Sequence, residues 1–98
     1  MSCTVQSLNG MVLVVVTGEI DMSVKQDLAA ALDRAIREAS RSVGIDLGGV
    51  YYIDSSGCSC LVQASLAAHK RAIDLHVTSA SSSVERVFEI AGLHELLA

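Results

Sequence analysis

Tyr52-Ile53-Asp54-Ser55-Ser56-Gly57 closes a strand-like apolar run that begins at Val50, and it opens a helix-like one at Cys58. Strand-forming residues pass into an acid, two hydroxyls and a glycine, after which apolar side chains recur at helical spacing. A serine at such a junction lies in the first turn of a helix, where backbone N–H groups have no intrahelical partner. Those donors, with the positive end of the helix dipole, favour an anion, phosphate included. The stretch therefore predicts a strand–turn–helix unit carrying a surface serine at a position where a phosphate is structurally tolerated.

Upstream, Thr4 to Leu8 alternates like a short strand, and Asn9-Gly10 is a two-residue hairpin signal because both positions tolerate positive φ. Met11 to Thr17 then reads as a strand, and its continuous apolar run implies burial on both faces. Gly18 to Met22 reads as a loop. Ser23-Val24-Lys25-Gln26 has the form of a capping box, opening a helix that carries Val24, Leu28, Ala31, Leu32, Ala35 and Ala39 and ends near Ser40 to Ser42. Val43 to Leu47 is the next strand, Gly48-Gly49 marks a bend or bulge, and Val50 to Ile53 continues to the junction.

Downstream, the helix starting at Ser55 or Ser56 is expected to bury Cys58, Leu61, Val62, Ser65, Leu66 and His69. Leu75 to Thr78 is a short strand. Ser82-Ser83-Val84-Glu85 is a second capping-box candidate, opening a helix with Val84, Val87, Phe88 and Ala91 that Gly92 stops. Leu93 to Leu97 reads as a last short edge strand or a frayed end. The order predicts an α/β fold with right-handed crossovers and a mixed sheet, parallel except for its opening hairpin.

Composition bounds the function. Ninety-eight residues make one domain, residues 1–98, and half are hydrophobic although Phe88 is the only Phe and there is no Trp. An aliphatic core of this kind suits helices packed on a sheet. A formal charge of −4 disfavours nucleic acid, whose binding needs clustered Lys and Arg, and suits a protein partner with a basic face. Met11 to Val16, the longest early apolar run, is too short for a signal peptide's core or a membrane span. Cys3, Cys58 and Cys60 lack metal-site or C-x-x-C spacing and read as free thiols in a reducing cytoplasm. No metal or cofactor is expected, and a monomer is the default state.

Four segments, in order, resemble the STAS domain, specifically the stand-alone bacterial anti-sigma factor antagonists. Thr17-Gly18-Glu19-Ile20-Asp21 is similar to the family's Gly-Glu-hydrophobic-Asp loop. Ile45-Asp46-Leu47-Gly48-Gly49-Val50 followed by Tyr52-Ile53-Asp54-Ser55-Ser56-Gly57 resembles its third strand and signature turn. Val84-Glu85-Arg86-Val87-Phe88 and Gly92-Leu93 resemble the last helix and its exit. The implied fold is a single STAS-like domain with a mostly parallel sheet of four to five strands and about three helices.

The resemblance implies a switch. The unphosphorylated antagonist binds an anti-sigma factor that is also a serine kinase, which frees the sigma factor. Phosphorylation of the turn's second hydroxyl, here Ser56, ends binding, and a serine phosphatase resets the protein. Ser55 ranks second as acceptor. Glu19, Asp21, Asp54, Ser55, Gly57 and Ser59 would contact the partner, with Asp54 orienting the Ser56 hydroxyl or holding the turn. Two departures stand out. Where the family commonly places a large aliphatic residue and then glycine, this chain has Cys58-Ser59, which makes Ser59 a competing acceptor. The chain stops at Ala98, so the usual last strand and C-terminal helix are expected to be short or missing. The alternative is a STAS-like scaffold or regulatory subunit of a transporter or stress-sensing complex that never carries phosphate.

Simpler roles exist for the same residues. Ser56 or Ser55 could serve as the N-cap of the helix, Asp54 could cap it or end the strand, and Glu19 and Asp21 could be solvated loop acids. A nucleophile elbow would place glycine two positions either side of the serine, where Asp54 and Cys58 stand, and no spacing aims His69, His76 or His94 at Ser56; no catalytic residue is assigned. Tyr51 and Tyr52 should face opposite sides of their strand, one packed and one wet.

Overall fold

Asn9 and Gly10 both take positive φ, 53° and 84°, and fold β1 (Ser2–Leu8) back onto β2 (Met11–Ile20) with Leu8 opposite Met11. This is the hairpin that the Asn-Gly pair predicts. The computed structural model describes residues 1–96. After β2 come α1 (Lys25–Glu38), β3 (Ser42–Ile53), α2 (Ser55–Lys70), β4 (Asp74–Ala80) and α3 (Ser82–Ala91). The strands among the described residues form one four-stranded sheet in the order β1-β2-β3-β4, with β1 antiparallel and the other pairs parallel. The predicted fifth strand is a short 3-10 turn, His94–Leu96, and Leu97 lies outside the described residues.

Burial in β2 alternates. Val12, Val14 and Val16 are buried, whereas Leu13 and Val15 are half-buried and Met11 is exposed. The expectation of burial on both faces is therefore corrected: one face carries the core and the other stays open. The buried side chains of all three helices join those of the strands in a single cluster that includes Leu28, Leu32, Ile45, Leu61 and Phe88. Valine satisfies either side of a pleated sheet, so a run of valines does not reveal how many faces are covered.

β2 also runs three residues further than expected, through Gly18-Glu19-Ile20, which pair with Val50, Tyr52 and Ile53. β3 carries two register shifts against β2, one beside Gly48-Gly49 and one that leaves Tyr51 as an extra residue. Each insertion stretches the spacing of buried positions from two to three, giving Leu47, Val50 and Ile53. The bulge expected at the glycines forms; the second one went unread.

Neither capping box forms where expected. Asp21, not Ser23, caps the first turn, a 3-10 turn at Met22–Val24, and α1 begins at Lys25 without a side-chain cap. Ser81, not Ser82, caps α3: its hydroxyl accepts the Val84 N–H at 3.2 Å and donates to the Val50 carbonyl. That second bond ties the start of α3 to β3, and the shift by one residue places Val84 rather than Glu85 at the position that would reach back. Gly92 ends α3 in the left-handed conformation, φ 73°, as predicted.

Candidate functional site

All three parallel strands end on the same edge of the sheet, and each passes there into a helical turn through an acid or a serine. The first two turns are joined directly, since the Asp54 N–H donates to the Ile20 carbonyl at 3.1 Å. Asp21 and Asp54 thus follow neighbouring strand ends and do the same work. Asp21 Oδ1 accepts the Ser23 N–H at 3.0 Å and the Ser23 hydroxyl at 2.5 Å. Asp54 Oδ1 accepts the N–H groups of Ser56 at 2.9 Å and Gly57 at 3.2 Å, while the Asp54 carbonyl accepts that of Cys58 at 3.1 Å.

Asp54 is therefore the N-cap of α2, and this decides among the readings of the turn. Ser56 is not the cap. It sits in the first turn, half-buried, with its N–H held by Asp54; Ser55 before it and Ser59 after it are exposed. The Asp54 carboxylate holds the turn through backbone N–H groups. The donors of Ser56 and Gly57, expected to be open at this helix start, are thus already satisfied within the chain, which leaves the dipole, but not a cradle of free N–H groups, to favour an anion.

Gly57 is buried and has no room for a side chain. A Cβ there would lie 2.6 Å from Ile20 Cγ2 and 2.7 Å from Ile53 Cγ1. The glycine lets the first turn of α2 rest on the ends of β2 and β3, so Ser56 is positioned by the core beneath it. The rest of α2 is rotated from the expected face: Gly57, Cys58, Cys60, Leu61, Ala64 and Ala68 are buried, while Leu66 and His69 are exposed. Packing against both α1 and the sheet widens the buried arc, which is why Cys58 and Cys60, two residues apart, are both covered. Ser59 opens instead onto a groove of about 540 Å³ between α1 and α2, lined also by Lys25, Ala29, Cys60 and Ala64.

Of the remaining expected contacts, Asp21 is half-exposed beside the Asp54 turn and Glu19 is exposed on β2, opposite Tyr52 and on the face away from the core. The two tyrosines do not divide between core and solvent; both are exposed. The inserted Tyr51 breaks the alternation on which that expectation rested.

Titration follows these contacts. The Ser23 hydroxyl, helped by backbone N–H groups and opposed by partial desolvation, holds the Asp21 carboxyl below its usual range. Its folded value is lower than its unfolded one, so its contribution to holding the Met22–Val24 turn is complete above the unfolded value and is lost as pH falls through the folded one. Burial pushes up the thiols of Cys58 and Cys60, reinforced at Cys58 by the Asp54 charge and opposed at Cys60 by Lys25. Both stay protonated and shielded at neutral pH, so Ellman's reagent should modify them on the order of tenfold or more slowly in the native protein than in urea. Equal rates in the two states would contradict the burial.

The cap carries its own prediction. Asp54→Ala should cost about 1–2 kcal/mol, a fall in melting temperature of roughly 4–8 °C per kcal/mol for a domain this size. Asp54→Asn, which keeps an acceptor oxygen, should retain most of the stability. Thermal unfolding followed by circular dichroism measures both, and an unperturbed Asp54→Ala would remove Asp54 as the cap.

Comparison with known proteins agrees with this architecture. The anti-sigma-B factor antagonist of Staphylococcus aureus is 30% identical over 82 residues, an alignment covering 84% of this chain and 76% of that protein. An anti-sigma factor antagonist from Mycobacterium paratuberculosis superposes with a TM-score of 0.86 at 24% identity, covering 98% of this chain and 81% of the other. The anti-sigma factor antagonist SpoIIAA in its unphosphorylated form superposes at 0.82 with 19% identity, covering 99% and 86%. The model of the STAS domain matches residues 2–98, and with the strand–turn–helix edge described above it establishes that this chain belongs to the STAS domain family.

Proposed function

We propose that the protein is an anti-sigma factor antagonist: unphosphorylated, it binds an anti-sigma factor with serine kinase activity and so frees a sigma factor, and phosphorylation of Ser56 ends the binding. The observation that carries the reading is the capping of α2 by Asp54, which leaves the Ser56 hydroxyl out of the cap on the edge where Asp21 and Asp54 meet. The antagonist of S. aureus at 30% identity supports the same reading.

A phosphate adds about −1.5 to −2 charges and three acceptor oxygens. The dipole of α2 favours that charge, but the nearby N–H groups already serve Asp54, and Asp54, Asp21 and Glu19 are acids on or near the same edge. The phosphate is thus tolerated without being drawn into the domain. The fold stays, and the surface offered to a partner becomes more negative and more strongly hydrated. A serine phosphatase would reverse the change.

The test is affinity capture from the native host with the unphosphorylated protein as bait, followed by ATP. The expected result is retention of an anti-sigma factor, its release on adding ATP, and a single phosphate mapped by mass spectrometry to Ser56. A phosphate on Ser55 or Ser59 instead would reassign the acceptor. Capture of transporter or stress-complex subunits, with no phosphate acquired, would replace the switch with a scaffold.

A further inference from the structure

The exposed tyrosines of β3 have no role in the switch as described. The register shift opposite Gly18 and Glu19 inserts Tyr51 into the strand, and both rings emerge, Tyr51 64% and Tyr52 48% exposed. Bulges of this kind re-aim side chains near functional sites. β4 leaves the sheet after pairing Ala80 with Leu47, and α3 borders the rest of β3 in its place. Tyr51 and Tyr52 therefore meet Ser82, Ser83, Arg86 and Val87 of α3 around a pocket of about 290 Å³.

The charge in this pocket is the reverse of its surroundings. The chain as a whole carries −4, and Asp54, Asp21 and Glu19 are acids at the neighbouring strand ends. Arg86 is a cation lining the pocket, and it forms no ion pair among the described residues, unlike Arg34 with Glu38 and Arg37 with Asp33. A guanidinium offers a planar set of donors that matches a carboxylate bidentately and stacks on aromatic faces. Tyr and Arg are also the residue types on which binding energy concentrates at protein interfaces.

We infer that the Tyr51–Tyr52–Arg86 pocket is a second docking point for the anti-sigma factor, receiving an Asp or Glu side chain of that protein on the Arg86 guanidinium beside the tyrosine rings. The inference rests on the function proposed above and names a contact for it. The pocket lies at the C-terminal end of β3, immediately before the Asp54–Ser56 turn, so one partner can engage both. The pocket would meet an acidic group of the partner, apart from the surface that receives the Ser56 turn. Two separate points of contact, one of them charge-specific, fix the orientation in which the kinase receives Ser56.

The experiment measures binding of the purified anti-sigma factor to the full chain and to Arg86→Glu, Arg86→Lys and Tyr52→Ala. Both positions, Arg86 and Tyr52, are exposed, and circular dichroism should give unchanged melting for all three variants. Arg86→Glu should weaken binding at least ~30-fold, Arg86→Lys should fall between it and the native chain, and raising salt should narrow the difference. If the native chain binds and Arg86→Glu binds within twofold of it, the docking point is wrong and the switch survives. If the native chain binds no anti-sigma factor, both fall. If the native chain self-associates and Arg86→Glu is monomeric by sedimentation, the pocket belongs to a contact between copies and the inference is overturned.

Discussion

Ser56→Asp weakens binding to the anti-sigma factor by about a hundredfold to a thousandfold, and Ser56→Ala leaves it nearly intact. That is the largest effect expected of a single substitution in this chain. A like charge or an unpaired charge desolvated at an interface costs several kcal/mol, and each ~1.4 kcal/mol is tenfold in affinity. Aspartate carries one negative charge where phosphoserine carries about −1.5 to −2, so the substitution sets a lower bound on the effect of phosphate. Unfolding cannot mimic the result. An acid in the first turn of α2 gains about 0.3–1 kcal/mol from the helix dipole, set against repulsion from Asp54, whose carboxylate already caps that turn. The melting temperature should therefore stay close to that of the native chain. Calorimetric titration at two salt concentrations, with melting curves alongside, separates the terms. Equal affinity of the Asp and Ala variants would show that charge at this position does not control the partner.

The parts of this site that could be read from sequence are those set by local chemistry. Asn9-Gly10 forms its hairpin because few other pairs accept two positive φ angles, and Gly92 stops α3 for the same reason. The order Val50 to Gly57 specifies strand, turn and helix because β-branched and aromatic residues give way to a capping acid and hydroxyls. What escaped reading depends on tertiary contacts. The choice of Ser81 over Ser82 as a cap rests on its bond to the Val50 carbonyl, an interaction thirty-one residues away in sequence. Asp21 rather than Ser23 caps the first turn because β2 runs on to Ile20 and delivers Asp21 beside the Asp54 turn. The exposure of both tyrosines follows from an insertion in register that only the partner strand defines. One signal was available: Leu47, Val50 and Ile53 recur every third residue, which a regular strand cannot bury on one face.

Gly57 links the core to the serine, and Gly57→Val should destabilise the domain by more than about 3 kcal/mol, a large share of the stability of a domain this size. Helix propensity alone argues the other way, since replacing a helical glycine with alanine gains up to ~1 kcal/mol. Space decides against it. A Cβ would stand 2.6 Å from Ile20 Cγ2 and 2.7 Å from Ile53 Cγ1, and those side chains are 0% and 4% exposed, so neither can swing into solvent. Overpacking of this kind costs about 1–3 kcal/mol for the first added carbon and more for a branched side chain, against a total stability of roughly 5–15 kcal/mol. Gly57→Ala should therefore remain folded but melt several degrees lower, and it should push the first turn of α2, with Ser56 on it, away from the ends of β2 and β3. Gly57→Val adds two further methyl groups to the same contact and should cost more than 3 kcal/mol. Ser59→Ala is the control: it lies on the same helix, is exposed, and should melt within a degree or two of the native chain. Thermal denaturation of the three variants orders them as Ser59→Ala, Gly57→Ala, Gly57→Val, from most to least stable. A Gly57→Ala variant as stable as the control would mean that α2 can lift off the two isoleucines without loss, and that the core does not hold the serine in place.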